Sequence, residues 1–128
     1  MKRILLVEDN PDNRDLVFAF LDALYDIRAC VDGFEALEAL APNSGYRPDL
    51  LLCDISLPGM DGVELLRTLR QDPRLAGIPA IALTSHAMKG DQERFLAAGF
   101  DAYVSKPITD ETILLDAIER LLSHGQGG

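Results

Sequence analysis

Residues 51–62 read LLCDISLPGMDG. An apolar run stops at one carboxylate, Asp54, and a proline, glycines and a second acid follow at once. Short apolar runs bounded by Pro, Asp and Gly suit strands buried on both faces, as in parallel sheets. Leu50 to Cys53 is such a run, and so are Arg3 to Val7 (RILLV) and Ile78 to Leu83 (IPAIAL). Asp26 to Val31 and Ala102 to Ser105 (AYVS) read as two further strands.

Helical spacing fills the gaps. In residues 11–24 it gathers Leu16, Val17, Phe20, Leu21 and Leu24 on one face. In residues 33–41 it gathers Phe34, Leu37 and Leu40/Ala41, with Asp32 as N-cap. Residues 62–71 align Val63, Leu66 and Leu69/Arg70. Residues 110–122 align Ile113/Leu114, Ala117/Ile118 and Leu121/Leu122, with Thr109 as the expected cap. A fourth helix carries Gly90 in its first turn, where glycine weakens a helix.

The order β-α repeated five times predicts an α/β fold with a parallel sheet and right-handed crossovers. The fold class expected is a flavodoxin-like, doubly wound (βα)5 sandwich with strand order 2-1-3-4-5. Residues 1–123 are expected to form one domain and 124–128 a flexible tail.

Composition narrows the classes. The 128 residues fit one domain with a real core. Twelve basic against 21 acidic residues give a formal charge of −9, against both a nucleic-acid footprint and an anionic membrane surface. No apolar stretch approaches the roughly 20 residues of a membrane span, so the cytoplasm is the expected location. Cys30 and Cys53 sit in strands and read as buried, unpaired thiols.

In such folds ligands bind beyond the carboxyl ends of the strands, where strand order reverses. Glu8 and Asp9 follow the first strand, Asp54 ends the third, Thr84 and Ser85 end the fourth, and Lys106 with Pro107 follows the fifth. Singly each has a bland reading: loop acids are usually solvated, Asp9 can cap the next helix, and Lys106 can be an ordinary surface lysine. Jointly they set three acids, a hydroxyl and a lysine along one rim of the sheet.

Crowded carboxylates raise one another's pKa, and a hard divalent cation relieves them. Neutralising Asp54 is accordingly expected to stabilise the metal-free protein. A cation with a lysine neutralises charge on a transferring phosphoryl group, and a free carboxylate can accept one as an acyl phosphate. In the turn after Asp54, Pro58 and Gly59 lead the chain away, Asp61 caps the next helix, and Gly62 lets the backbone enter it tightly.

The segments ILLVEDNPDNR, LLCDISLPGMDG, IALTSHAMKGD and AYVSKPI together resemble a response-regulator receiver domain of two-component signalling, over essentially the whole chain. The resemblance implies that Asp54 takes a phosphoryl group from a phosphohistidine. It implies that Glu8, Asp9, Asp54 and the backbone carbonyl of Ser56 hold Mg2+ (or Mn2+), and that Thr84 and Lys106 hold phosphoryl oxygens. Tyr103 is the aromatic expected to follow Thr84 in switching, and the Lys106–Pro107 bond is expected to be cis. Glu8 stands where aspartate is common, and Ser85 where alanine is common.

The implied partners are a sensor histidine kinase or histidine phosphotransfer protein, docking near Asn13, Pro107 and Ile108. A downstream protein target is expected on the fourth helix, fifth strand and fifth helix. DNPDNR and AMKGD have a single-domain or hybrid-kinase flavour, and Met1 with the tapering tail favours a complete protein without an output domain. Two alternatives remain. An aspartate-nucleophile phosphatase would want its nucleophile after the first strand and an acid at position 56, which is Ser. A flavodoxin-like FMN binder would want a Ser/Thr/Gly-rich loop where Glu8-Asp9-Asn10-Pro11 stands.

Overall fold

The computed structural model describes residues 1–85 and 89–126. Ala87 and Met88 of the AMKGD segment, and Gly127 and Gly128 of the expected tail, lie outside the described residues. The elements are β1 Arg3–Val7, α1 Pro11–Leu21, β2 Asp26–Cys30, α2 Gly33–Ala39, β3 Leu50–Asp54, α3 Gly62–Arg70, β4 Ala80–Thr84, α4 Lys89–Ala97, β5 Ala102–Ser105 and α5 Glu111–Gln126. A short 3-10 turn, Pro42–Ser44, precedes β3. Helix α5 runs on to Gln126, into the segment expected as a tail.

The five strands are parallel in the order β2-β1-β3-β4-β5, the expected topology. Every residue of β3 and β4 is buried, because helices cover both faces of the sheet. Strand alternation divides the core in two. Leu5, Val7, Leu51, Cys53 and Ala82 pack with Leu65 and Leu66 of α3 and Phe95 of α4. Ile4, Leu6, Leu52, Ile81 and Leu83 pack with Val17 and Leu21 of α1 and with Leu114 and Ile118 of α5.

Helix phase departs from expectation at several points. Helix α2 buries Gly33, Ala36 and Ala39, a period set by the Asp32 cap, whose carboxylate accepts the Glu35 N–H at 2.8 Å. That phase turns Phe34 outward, 54% exposed, where periodicity had placed it in the core. Leu24 is exposed because α1 ends at Leu21 and the chain turns there, with the Leu24 N–H on the Leu21 carbonyl. Leu16 is partly exposed as well. In α5, Leu114 faces the core and Ile113 does not. The cap of α5 is Asp110 rather than Thr109: its carboxylate accepts the Thr112 N–H at 3.0 Å and the Thr112 hydroxyl at 2.6 Å. Asn10, not Asp9, caps α1 by accepting the Asn13 N–H at 3.1 Å.

Candidate functional site

Parallel pairing brings the ends of β1, β3, β4 and β5 to one rim. The Glu8 N–H donates to the Cys30 carbonyl at 3.0 Å, so the chain keeps its course one residue past β1. Glu8 is thereby fully buried while Asp9, pointing the other way, is exposed. Asp54 closes β3, opposite Leu83, and is 3% exposed. Its Oδ1 accepts the Ser56 N–H at 2.9 Å. Thr84 ends β4 opposite Ser105 and is also buried. The Thr84 carbonyl accepts the Lys106 N–H at 2.8 Å, and the Lys106–Pro107 bond is cis, as expected.

Lys106 is the centre of the charge network. Its Nζ donates to Asp54 Oδ2 at 2.9 Å and to Glu8 Oε1 at 3.0 Å. Burial alone would lower its pKa; the bonds to Asp54 and Glu8 outweigh that and raise it. The two carboxylates diverge. Burial first, then the hydrogen bond shared with Asp54, lifts Glu8 from 4.5 to about 7. Burial also pushes Asp54 upward, but hydrogen bonds from Glu8, Lys106 and the Ser56 N–H outweigh it and hold Asp54 below its ordinary value. Burial and the neighbouring Asp54 thus raise Glu8, while the hydrogen bonds it receives keep Asp54 low.

Glu8, Asp9 and Asp54 each bring a carboxylate oxygen within 4.8 Å of the others. Such a set of hard oxygens fits Mg2+, which takes one or two carboxylates with a carbonyl, waters and a phosphoryl oxygen. Ser56 lies on the exposed side of the loop, two residues past Asp54.

The remaining residues singled out in the sequence are spread around this centre. Asn13 is in the first turn of α1, half-buried. Pro107 is exposed and Ile108 half-buried in the β5–α5 loop. Tyr103 pairs with Ala82, two residues before the β4 end, and packs, half-buried, on the α3 side of the sheet. It borders a cleft with Leu96, Ile113 and Arg120.

Two contacts were not legible as site features. The Arg14 guanidinium donates to the Glu8 carbonyl at 3.1 Å and so braces the loop that carries both acids. A cation near a helix N-terminus opposes the helix dipole, and that was the available signal that Arg14 has a partner. The other is the contact of Phe34 with the Asp54 loop, where a β-carbon on Gly59 would meet the ring at Cε2.

The model of the response regulator receiver domain matches residues 4–119. The chain belongs to the response regulator receiver domain family. The polar-differentiation response regulator DivK of Brucella anthropi is 44% identical over 109 residues, covering 84% of this chain and 86% of that protein. The receiver domain of a histidine kinase from Syntrophus aciditrophicus is 35% identical with a TM-score of 0.84, covering 97% of this chain and 92% of that one. The receiver domain of a sensor histidine kinase from Pseudomonas aeruginosa, also 35% identical with a TM-score of 0.84, covers 95% of this chain and 98% of its own. That structure holds a magnesium ion coordinated in its active-site cleft. Receiver domains are signalling proteins of two-component systems, and they bind Mg2+ at an acidic pocket of this kind. Neither the phosphatase nor the flavin-binding alternative is favoured. Among the described residues no helix is long and apolar enough to cross a membrane.

Proposed function

We propose that Asp54 is the phosphoacceptor, taking a phosphoryl group from a phosphohistidine on a sensor kinase or histidine phosphotransfer protein. The observation that carries this is the pairing of one buried, ionised carboxylate with the Lys106 ammonium at 2.9 Å, inside a cluster of two further acids. The Asp54 carboxylate attacks phosphorus; the new O–P bond forms as the P–N bond breaks, and the departing imidazole takes up a proton. An anionic nucleophile needs no general base, which suits an Asp54 held ionised by its hydrogen bonds.

Glu8, Asp9, Asp54 and the Ser56 carbonyl hold Mg2+ (or Mn2+) in this reading. The bound ion supplies positive charge toward the phosphoryl oxygens. The Lys106 ammonium donates a hydrogen bond to a phosphoryl oxygen, and the Thr84 hydroxyl donates one to another. The domain catalyses only its own phosphorylation and dephosphorylation. Tyr103 follows Thr84 toward the core, which alters the α4-β5-α5 face that a target protein reads. Asn13, Pro107 and Ile108 form the donor's docking surface. The setting is cytoplasmic, with no nucleic acid or membrane contact.

Incubation with acetyl phosphate and Mg2+ tests the reading. Intact mass is expected to rise by one phosphoryl group and fall back with time, and Asp54→Asn is expected to abolish the gain. Labelling that persists in Asp54→Asn would assign the acceptor role elsewhere.

A further inference from the structure

Phe34 is a large apolar side chain that the fold leaves at the surface, and its exposure is 54%. It is not idle there. Gly59, in the loop between β3 and α3, has φ +78°, and a β-carbon on it would lie 2.9 Å from Phe34 Cε2. One residue earlier in α2, a β-carbon on Gly33 would lie 3.0 Å from the Met60 sulfur. The first turn of α2 and the Asp54 loop therefore interlock reciprocally. Each offers a glycine to the other's bulky side chain.

The ends of that loop are fixed from within. The Gly62 N–H donates to the Ile55 carbonyl at 3.0 Å, and Ser56 N–H holds Asp54 Oδ1 at 2.9 Å. Gly59 and Met60 lie between these ends, on the outer side. The interlock holds them from α2, which is itself anchored by the Asp32 cap and by buried Ala36, Ala39 and Leu40.

We infer that Phe34 is a positioning residue for the phosphoacceptor loop: by standing on Gly59 it fixes the course of residues 55–61, and with it the Ser56 carbonyl and the Asp54 carboxylate. This rests on the receiver reading of Asp54 and adds α2 to the elements that set the site. A ring on a glycine restrains the loop without occupying the cleft, so the donor's approach stays open. A residue seated on the loop from outside also changes the site without touching the ion or the phosphoryl group.

The test uses the full chain with Phe34→Ala, Phe34→Tyr and Gly59→Ala. Amide resonances of residues 55–62 are followed without metal, and Mg2+ affinity is measured by titration. Phe34→Ala is expected to move the Ser56 and Gly62 amides and to weaken Mg2+ binding about tenfold, the low end of what losing a group that orients a metal ligand costs. Phe34→Tyr keeps the ring and is expected to restore both. Gly59→Ala, which forces the ring away, is expected to move the same amides. Unchanged amides or unchanged Mg2+ affinity in Phe34→Ala, or no recovery in Phe34→Tyr, would overturn the inference. Failure of the wild type to bind Mg2+ would instead overturn the receiver reading, while the amide comparison still decides whether Phe34 sets the loop.

Discussion

Gly62 stands against the backbone of Asp54. A β-carbon on it would lie 2.5 Å from the Asp54 carbonyl oxygen and 3.0 Å from the Ile55 α-carbon. Both neighbours are main chain, so neither can swing aside. Gly62→Ala is expected to cost about 1–3 kcal/mol by overpacking and to slow phosphoryl uptake together with it. Gly90→Ala is the control: among the described residues nothing lies within 4 Å of its β-carbon position, and alanine there is expected to stabilise α4 by about 0.5–1 kcal/mol. Chemical denaturation of the two variants, with acetyl phosphate labelling, separates them. Equal stability of Gly62→Ala and the wild type would refute the close approach.

Glu8 governs how the metal-free domain responds to pH. Its folded value, about 7, lies above its ordinary 4.5. The folded state therefore binds the proton more tightly, and the stability Glu8 contributes is full below about pH 4.5 and lost as pH rises through about 7. Without Mg2+, the wild type is expected to lose stability relative to Glu8→Gln between pH 5 and 8. Saturating Mg2+ is expected to raise the melting temperature of the wild type by mass action. Melting curves of both proteins across this range, with and without Mg2+, check the two statements. A difference independent of pH would mean that Glu8 does not hold the proton.

Cys30 and Cys53 register against the same residue, Val7, from opposite sides. Two strand spacings put them about 9–10 Å apart, beyond the reach of about 7 Å for a disulfide. Both are buried, and burial, with Glu35 nearby, pushes the Cys30 thiol up to about 11. Mass mapping after mild oxidation is expected to find no intramolecular bridge, and alkylation at pH 8 is expected to be slow until the protein unfolds.

Tyr103 and Ile108 line one cleft with Pro107 but pack on opposite faces of the sheet, and on the reading proposed above their effects should separate. Tyr103→Ala is expected to impair target binding more than phosphoryl uptake, whereas Asn13→Ala and Ile108→Ala are expected to slow transfer from a phosphorylated donor protein. Uptake from acetyl phosphate, which needs no docking, should be spared in the latter two. Equal loss with both phosphodonors would dissolve the distinction.

The strands were legible because the central ones are buried on both faces and read as unbroken apolar runs. The site was legible because parallel topology turns the residue after each strand into a rim position, and Glu8, Asp54, Thr84 and Lys106 are what stands there. The helices were less so. Apolar spacing says that α2 has a buried face, but its phase is set by the Asp32 carboxylate and the buried Gly33, and a glycine carries no hydropathy to count. Ile113 and Leu114 are equal in hydropathy terms and differ only in which side of α5 meets β5. Thr109 and Asp110 are both able caps, and only geometry chooses. The Arg14 bond to the Glu8 carbonyl was beyond reach because a long side chain's destination depends on a loop whose course the sequence leaves open.

The two hydrogen bonds of Lys106 span 98 and 52 residues of chain. On a ribosome, the N-terminal acids and Asp54 emerge well before the cation that balances them. Until β5 joins the edge of the sheet, Glu8 and Asp54 have nearby backbone N–H groups, water and counterions, but no lysine beside them. During synthesis the charge network can therefore close only after β5 has emerged, and each of its contacts closes a long loop. A fragment ending before residue 106 would keep every acid of the site and yet lack the lysine on which the acceptor role proposed for Asp54 rests. Supplying the missing strand and helix as a separate peptide would make recovery of phosphoryl uptake a direct reporter of sheet completion.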